Sequence, residues 1–401
     1  MKFLLSIFKW FLVVILVIAI TVAALPWLSV VTDRDAKGQE AAWLAANKGE
    51  DVLDIGDARF VILSEMHGFA AVQSLDFDVL RRLNAEEGVR RYLGELSPAQ
   101  AIAFNHYLQT GDDQYMREVF DHWAGQNAQW ANREFFEEIG KIRSLNDVLS
   151  DDRKIYFIGV DSISDYPFAE RMMALLPADQ TASLQTAAGV QAINREFLSR
   201  ALVRPADASR YTNMVANINL LQGYDTADRE QFYGLWGLFH GSKTPINEER
   251  PLAHILNGPE GAFASKVVSI GTMCAGECFN MMPAAALPSP MRGPSNASYT
   301  LLPMSSDATY IWRQKGIQRL KEAAGSNERE WFRLSGEQSP FAEGDSLVGT
   351  SGFLTLMQKF EYEGAAADAM DYIVLLQKSR ALTPWKGEAY DISGQALAAA
   401  E

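Results

Sequence analysis

Apolar residues run almost without a break from Trp10 to Val31, interrupted only by Thr21, Pro26 and Ser29. Spanning a bilayer takes about 20 such residues. Lys2 and Lys9 precede the run, which predicts the N-terminus inside and the rest of the chain on the extracytoplasmic side, a single-pass membrane protein. A cleaved signal peptide is the competing reading, with Val22-Ala23-Ala24 as a small-residue cleavage site. The run exceeds the roughly 7–15 residues of a signal h-region, which favours an uncleaved anchor and makes the membrane a partner through this helix.

Beyond the run the pattern changes. Thr32 to Gly49 reads as a polar linker and first helix. Phe60 to Glu65 is strand-like, and Ala71 to Glu87 carries Val72, Leu75, Val79, Leu80 and Leu83 at helical spacing, with Gly88 where a helix stops. Val89 to Leu96 predicts a second strand, so that strand, helix and strand make a parallel unit with a right-handed crossover. Ser97-Pro98 opens a helix that runs to Gly111, Ser as N-cap and Pro at the first position. Asp113 to Val148, rich in aromatics and acids, predicts two or three helices over the sheet. Lys154 to Asp161 is a nearly continuous apolar run, as in a strand buried on both faces. Pro167 to Gly223 reads as mostly helical. Phe232 to Gly241 is ambiguous, its glycines disfavouring a helix and its aromatics suiting a strand. Lys266 to Gly271 predicts a strand, Ala284 to Ser298 a loop, Ala308 to Trp312 a short strand and Asp371 to Gln377 the last strand, while Gly316 to Gly364 mixes turns and helices. The alternation predicts an α/β fold, a mainly parallel sheet flanked by helices, after an N-terminal transmembrane helix.

Composition narrows the class. The 401 residues are 48% hydrophobic and 21% charged, the balance of a folded chain rather than a disordered one. A net charge of −14 disfavours nucleic acid and anionic lipid as general partners; the small-molecule substrate expected for this chain comes from the strand-end chemistry and not from the charge. The division that follows is 1–31 anchor or signal sequence, 32–55 linker and first helix, 56–390 α/β domain and 391–401 C-terminal tail.

The candidate chemistry is positional. Glu65 and His67 are two apart, so at the end of an extended strand they project the same way, a carboxylate and an imidazole offered to one volume. That suits a metal site or a general base; a surface Glu and a loop-capping His is the bland alternative. Glu95 ends the second predicted strand, Asp161 the third and His240 the ambiguous run. Ligands of open parallel sheets bind outside the carboxyl ends of the strands, where these side chains would converge. Helix N-capping is the alternative for Glu95 and Asp161, and a core or capping histidine for His240. His106, His122 and His254 have no such placement and read as surface or packing residues. No G-x-S-x-G elbow occurs, so a serine nucleophile of that type is not indicated, and no C-x-x-C-H occurs, which excludes covalent haem.

These segments carry a resemblance. Leu63-Ser64-Glu65-Met66-His67-Gly68, Leu93-Gly94-Glu95-Leu96-Ser97 and Phe157-Ile158-Gly159-Val160-Asp161, in that order, are similar to the erythromycin esterase-like and ChaN-like superfamily. The helix around Ala103, Asn105, Tyr107 and Leu108 resembles the family's segment after the second-strand Glu, and Asp371-Tyr372-Ile373-Val374 with Thr383-Pro384 resembles the closing strand of the esterase branch. The likeness runs loosely from Gly56 to Pro384. Ser64 stands where Gly is common, Glu65 and His67 have the ChaN-branch spacing rather than the longer esterase one, and Gly241-Ser242-Lys243 follows His240 where the esterases carry an Asn and a second His.

The resemblance implies a hydrolase in which His67 takes a proton from water attacking an ester-like carbonyl, Glu65 orients the imidazole, and Glu95 and His240 hold the water, the leaving group or a metal. With Glu65, His67, Glu95 and His240 as ligands the metal would be zinc or manganese with an open water position. The ChaN branch implies an alternative without catalysis, a haem- or ligand-binding protein with His67 or a Tyr as axial ligand.

Cys274 and Cys278 are four apart with Gly276 between them. In an exported domain this predicts a short-loop disulfide, Gly276 permitting the tight turn. A pair of ligands beside His240 is the alternative.

Overall fold

The computed structural model describes residues 38–203, 209–224, 230–308, 312–351 and 361–391. The expected membrane segment Trp10–Val31 lies outside them, and no helix among the described residues is long and apolar enough to cross a bilayer.

The strands run in chain order as β1 (Phe60–Glu65), β2 (Arg91–Gly94), β3 (Tyr156–Gly159), β4 (Phe232–Gly237), β5 (Val267–Pro283), β6 (Tyr299–Pro303), β7 (Asp307–Ala308), β8 (Trp312–Gln314), β9 (Arg329–Arg333), β10 (Thr350–Ser351), β11 (Tyr372–Ser379) and β12 (Ala389–Asp391). The main sheet has nine strands. Its centre reads β9-β11-β5-β1-β4-β2-β3, parallel except for β9 at the edge. The far half of β5 leaves this path to pair antiparallel with β6, which pairs in parallel with β12. The α/β class and the mainly parallel sheet are those expected from the sequence.

Every residue of β1 is buried, as the central strand of a sheet covered on both faces must be. Helix Ala70–Glu87 buries Val72, Leu75, Val79, Leu80 and Leu83 and ends at Gly88 in the left-handed region. Helix Pro98–Thr110 begins with Ser97 and Gln100 capping each other and ends at Gly111, also left-handed. Between 113 and 148 lie two helices, Gln114–Gly125 and Arg133–Asn146, and between 166 and 223 three more, Tyr166–Leu175, Ala187–Leu202 and Arg210–Leu220. The first helix among the described residues is Gly38–Ala46.

β1 and β2 are parallel, as expected, and β4 lies between them. The glycines that made β4 ambiguous allow this: a Cβ at Gly234 would meet the Leu93 carbonyl oxygen at 2.0 Å. The strand expected to stop at Gly271 continues as β5 for 17 residues, through both cysteines. The short strand expected at 308–312 is instead the pair β7 and β8, antiparallel to one another. β11 is not the last strand, since β12 follows it. Cys274 and Cys278 form the expected disulfide, with Gly276 between them at φ 115°. They are not ligands.

Candidate active site

The carboxyl ends of β1, β4, β2 and β3 share one edge of the sheet, and a cleft of about 310 Å³ opens there. Glu65 and His67 leave β1 on the same side, and His67 Nδ1 lies 2.7 Å from Glu65 Oε1. Met66 between them turns to an apolar cavity on the other side of the strand. Glu95 follows β2, Asp161 lies just beyond β3, and His240 sits on the short 3₁₀ turn Leu238–Gly241 after β4. The five residues chosen from the sequence therefore come together at one edge: Glu65, His67, Glu95 and Asp161 line the cleft, and His240 Nε2 stands 3.5 Å from Glu95 Oε1. Neither Glu95 nor Asp161 caps a helix; Ser97 and Asp165 fill those positions.

Arg210, the first residue of helix Arg210–Leu220, completes the cluster. Its Nη2 donates to Glu95 Oε1 at 2.7 Å and to Asp161 Oδ2 at 2.5 Å, and its Nε donates to Asp161 Oδ1 at 2.8 Å. Sequence reading missed it because the segment from Pro167 to Gly223 offers no chemical pattern around it.

The site is held from behind by β5. Asn280 Nδ2 and Gln129 Nε2 both donate to the His67 carbonyl. The Gly68 carbonyl accepts from Met281 N at 3.1 Å and from Leu382 N at 3.0 Å. Gly68 has φ 106°, and a Cβ there would meet the Asn280 amide at 2.5 Å, so both conformation and space require glycine. A Cβ at Gly237 would lie 3.2 Å from His67 Nε2 and 3.7 Å from Glu95 Oε2. The Gly237 N–H donates to that same Glu95 oxygen at 3.2 Å. Ser64 donates to the Ile270 carbonyl at 3.0 Å.

Electrostatics follow from this packing. Burial pulls the His67 pKa down, but the charge and hydrogen bond of Glu65, with Glu95 beyond, outweigh it and carry the pKa to about 8. Burial pushes Glu95 up, yet the hydrogen bond and charge of His240, with His67 and Arg210, hold its carboxyl well below the usual range. The hydrogen bond and charge of Asp161 raise Arg210 further. The His240 ring stacks on Tyr211, centroids 5.9 Å apart, and its Nδ1 is buried with no partner among the described residues.

Two further acids lie under the floor. Tyr92 and Gln73 line the cleft, and behind them Tyr92 donates to Asp76 Oδ2 at 2.6 Å, Tyr233 to Asp76 Oδ1 at 2.5 Å, and Gln73 to Glu138 Oε2 at 2.6 Å. Asp76 and Glu138 face each other, and burial raises both, Asp76 to about 6 and Glu138 well above the usual value. Asp76 has a visible sequence signal, an acid among Val72, Leu75, Val79 and Leu80 on the buried face of its helix.

The expected metal set does not fit these positions. Among the described residues no group of three or more His, Cys, Asp or Glu side chains is placed to hold one ion. Glu65 is committed to His67, and Glu95 to Arg210 and His240. The haem alternative rests on the resemblance alone.

No family model and no curated protein matches the chain. Solved structures do. A Bacillus cereus protein superposes with a TM-score of 0.57 at 15% identity, over 87% of this chain and 99% of its own. A succinoglycan biosynthesis protein superposes with a TM-score of 0.54 at 13% identity, over 88% and 100%. A mutant erythromycin esterase in its open conformation gives 0.49 at 13%, over 83% and 93%. The likeness to the first two is one of fold, the α/β class with a mainly parallel sheet that the sequence leads one to expect.

Proposed function

We propose that the chain is a hydrolase of the erythromycin esterase-like type, in which His67 activates water against an ester-like bond. The observation that carries this reading is the 2.7 Å contact of His67 Nδ1 with Glu65 Oε1 inside a cleft at the carboxyl ends of parallel strands. Glu65 accepts a hydrogen bond from the Nδ1–H, which leaves Nε2 as the basic nitrogen of the neutral ring. Water gives a proton to Nε2 as its oxygen bonds to the carbonyl carbon. Collapse of the tetrahedral species breaks the C–O bond, and the imidazolium returns the proton to the leaving oxygen. Glu65 stabilises that imidazolium. Glu95, fixed by Arg210, His240 and the Gly237 N–H, faces His67 and adds to the same field. Asp161 acts through Arg210.

The test is hydrolysis of a panel of p-nitrophenyl esters by the purified protein, with and without chelator. Turnover that survives chelator and is abolished in His67→Ala supports the reading; no turnover, or full turnover in His67→Ala, overturns it.

We also propose that the domain is exported and tethered to the membrane by Trp10–Val31. The disulfide supports an oxidising compartment. Protease accessibility of the domain in spheroplasts, against a cytoplasmic marker, tests the placement.

A further inference from the structure

The charges in the cleft are already spent on one another. Glu65 holds His67, and Arg210 holds both Glu95 and Asp161. No other Lys or Arg lines the cleft among the described residues. An anionic ligand would meet three carboxylates and a guanidinium that is already occupied. A cationic one would have to displace existing partners at the desolvation cost of each.

What remains free is neutral. Gln73, Gln126 and Gln129 use their amide N–H groups on Glu138, His122 and the His67 and Met281 carbonyls, which leaves each Oε1 without a partner among the described residues. Gln100 uses Oε1 on the Ser97 N–H and keeps its amide N–H groups. Ser162 keeps its hydroxyl. The uncommitted groups of the cleft are therefore neutral acceptors, donors and a hydroxyl at separated points.

Beside them stands an aromatic face. Trp130 is 40% exposed, although most large apolar side chains of this protein are buried, and it lines the cleft. Its ring meets the His67 ring edge-on, centroids 5.5 Å apart. A ring stacked on Trp130 thus carries its substituents to the imidazole. Phe135, Ile163 and Leu382 add apolar wall. The 310 Å³ lies at the small end of the range of about 300–1,000 Å³ for ligand clefts, room for one ring and a short arm.

We propose that the cleft takes an O-acylated neutral sugar, its C–H face on Trp130, its hydroxyls on the glutamine amides and Ser162, and its ester carbonyl presented to His67. A sugar ring is the ligand with an apolar face and a rim of uncharged groups that both donate and accept. The inference rests on the hydrolase reading for its reaction only: water adds to the acyl carbon, the C–O bond to the sugar breaks, and a carboxylic acid and a free sugar hydroxyl result.

The experiment uses the full chain in detergent with three probes: a glucose monoacetate, cyclohexyl acetate as the same-sized ring without hydroxyls, and unacylated methyl glucoside for binding by saturation-transfer NMR. The sugar ester is expected to exceed cyclohexyl acetate in kcat/KM by tenfold or more, about the value of one or two hydrogen bonds. Trp130→Ala is expected to raise KM for the sugar ester about tenfold, with Trp130→Phe recovering much of it, since a smaller ring still stacks. Methyl glucoside should receive saturation at its ring C–H protons in the wild type and lose it in Trp130→Ala. Equal turnover of the two acetates, or a sugar ester indifferent to Trp130→Ala, overturns the sugar assignment while leaving the hydrolase reading intact. Trp130-dependent saturation of methyl glucoside with no ester turned over supports the sugar assignment and removes the hydrolase reading. Neither binding nor turnover overturns the sugar assignment.

Discussion

His67 Nδ1 is 2.7 Å from Glu65 Oε1 although a residue separates them, because Met66 turns to the opposite side of the strand end. The pair raises the His67 pKa to about 8 against an ordinary 6.5. A base must be neutral, so kcat/KM for an ester is expected to rise with pH and level off above about 8. Glu65→Gln removes the charge while burial still disfavours the imidazolium, so the inflection should move down and the rate fall by about 10²-fold. The stability linkage has the opposite sign to the activity. The folded pKa is raised, so the contribution of the pair is full below 6.5 and lost as pH climbs through 8. Urea midpoints of the wild type and Glu65→Gln should differ at pH 6 and converge at pH 9, and a His67 ring-proton titration reads the pKa directly.

Gly237→Ala tests the space around the imidazole. The backbone at Gly237 has φ −54°, which alanine adopts freely, so folding should be little affected. The new Cβ would stand 3.2 Å from His67 Nε2 and 3.7 Å from Glu95 Oε2, which pushes the imidazole off its line. A misplacement of about 1 Å costs roughly 10²-fold in rate. The expected result is a large fall in kcat with a thermal midpoint within a few degrees of wild type; unchanged kcat would mean that Nε2 is not the reacting nitrogen.

The sites that could be read in the sequence are those at strand ends. Phe60–Glu65 announced itself because its apolar residues are buried on both faces, and Glu65, His67, Glu95, Asp161 and His240 then followed from the edge rule for parallel sheets. Arg210 was not legible, since its partners lie 49 and 115 residues away. Nor was the true extent of β5. Cys274-Ala275-Gly276-Glu277-Cys278 looks like a turn, and a glycine at φ 115° usually is one. Here it is an irregularity inside the strand, where the register against β11 shifts between Leu376 and Lys378. The continuation past that irregularity is what brings Asn280 and Met281 to the loop of His67. The position of β4 between β1 and β2 was hidden for a related reason: its glycines weaken a strand signal while making the close approach to Leu93 possible.

Asp76 and Glu138 should respond differently to isosteric change. Asp76 accepts from Tyr92 and Tyr233 and is the better hydrogen-bonded of two fully buried carboxyls, whereas Glu138 accepts from Gln73 alone and its Oε1 has no donor. The shared proton therefore resides on Glu138. Glu138→Gln replaces a proton donor by an N–H donor and should cost less than about 1 kcal/mol, while Asp76→Asn deprives one tyrosine of its acceptor and should cost about 1–3 kcal/mol. Infrared difference spectra should contain a protonated-carboxyl band at neutral pH in the wild type that is missing in Glu138→Gln. Equal destabilisation by the two changes, or no such band, would remove the assignment.

The Cys274–Cys278 bridge closes a short loop in the middle of β5, so its effect on stability should be modest. Loop-closure entropy for about five residues gives roughly 2 kcal/mol. Both sulfurs are buried and pack in the core, so a Cys-to-Ala pair loses packing as well as the bond. Reduction without mutation separates the two contributions. Dithiothreitol under native conditions is expected to act slowly, because the bridge is shielded from solvent, and to lower the urea midpoint once reduced. The site is affected through the strand: Asn280 and Met281 follow Cys278 directly and hold the His67–Gly68 loop. Ester turnover should therefore fall on reduction before the protein unfolds. If turnover is indifferent to reduction while the midpoint drops, the far half of β5 holds its register without the bridge, and the disulfide serves stability alone.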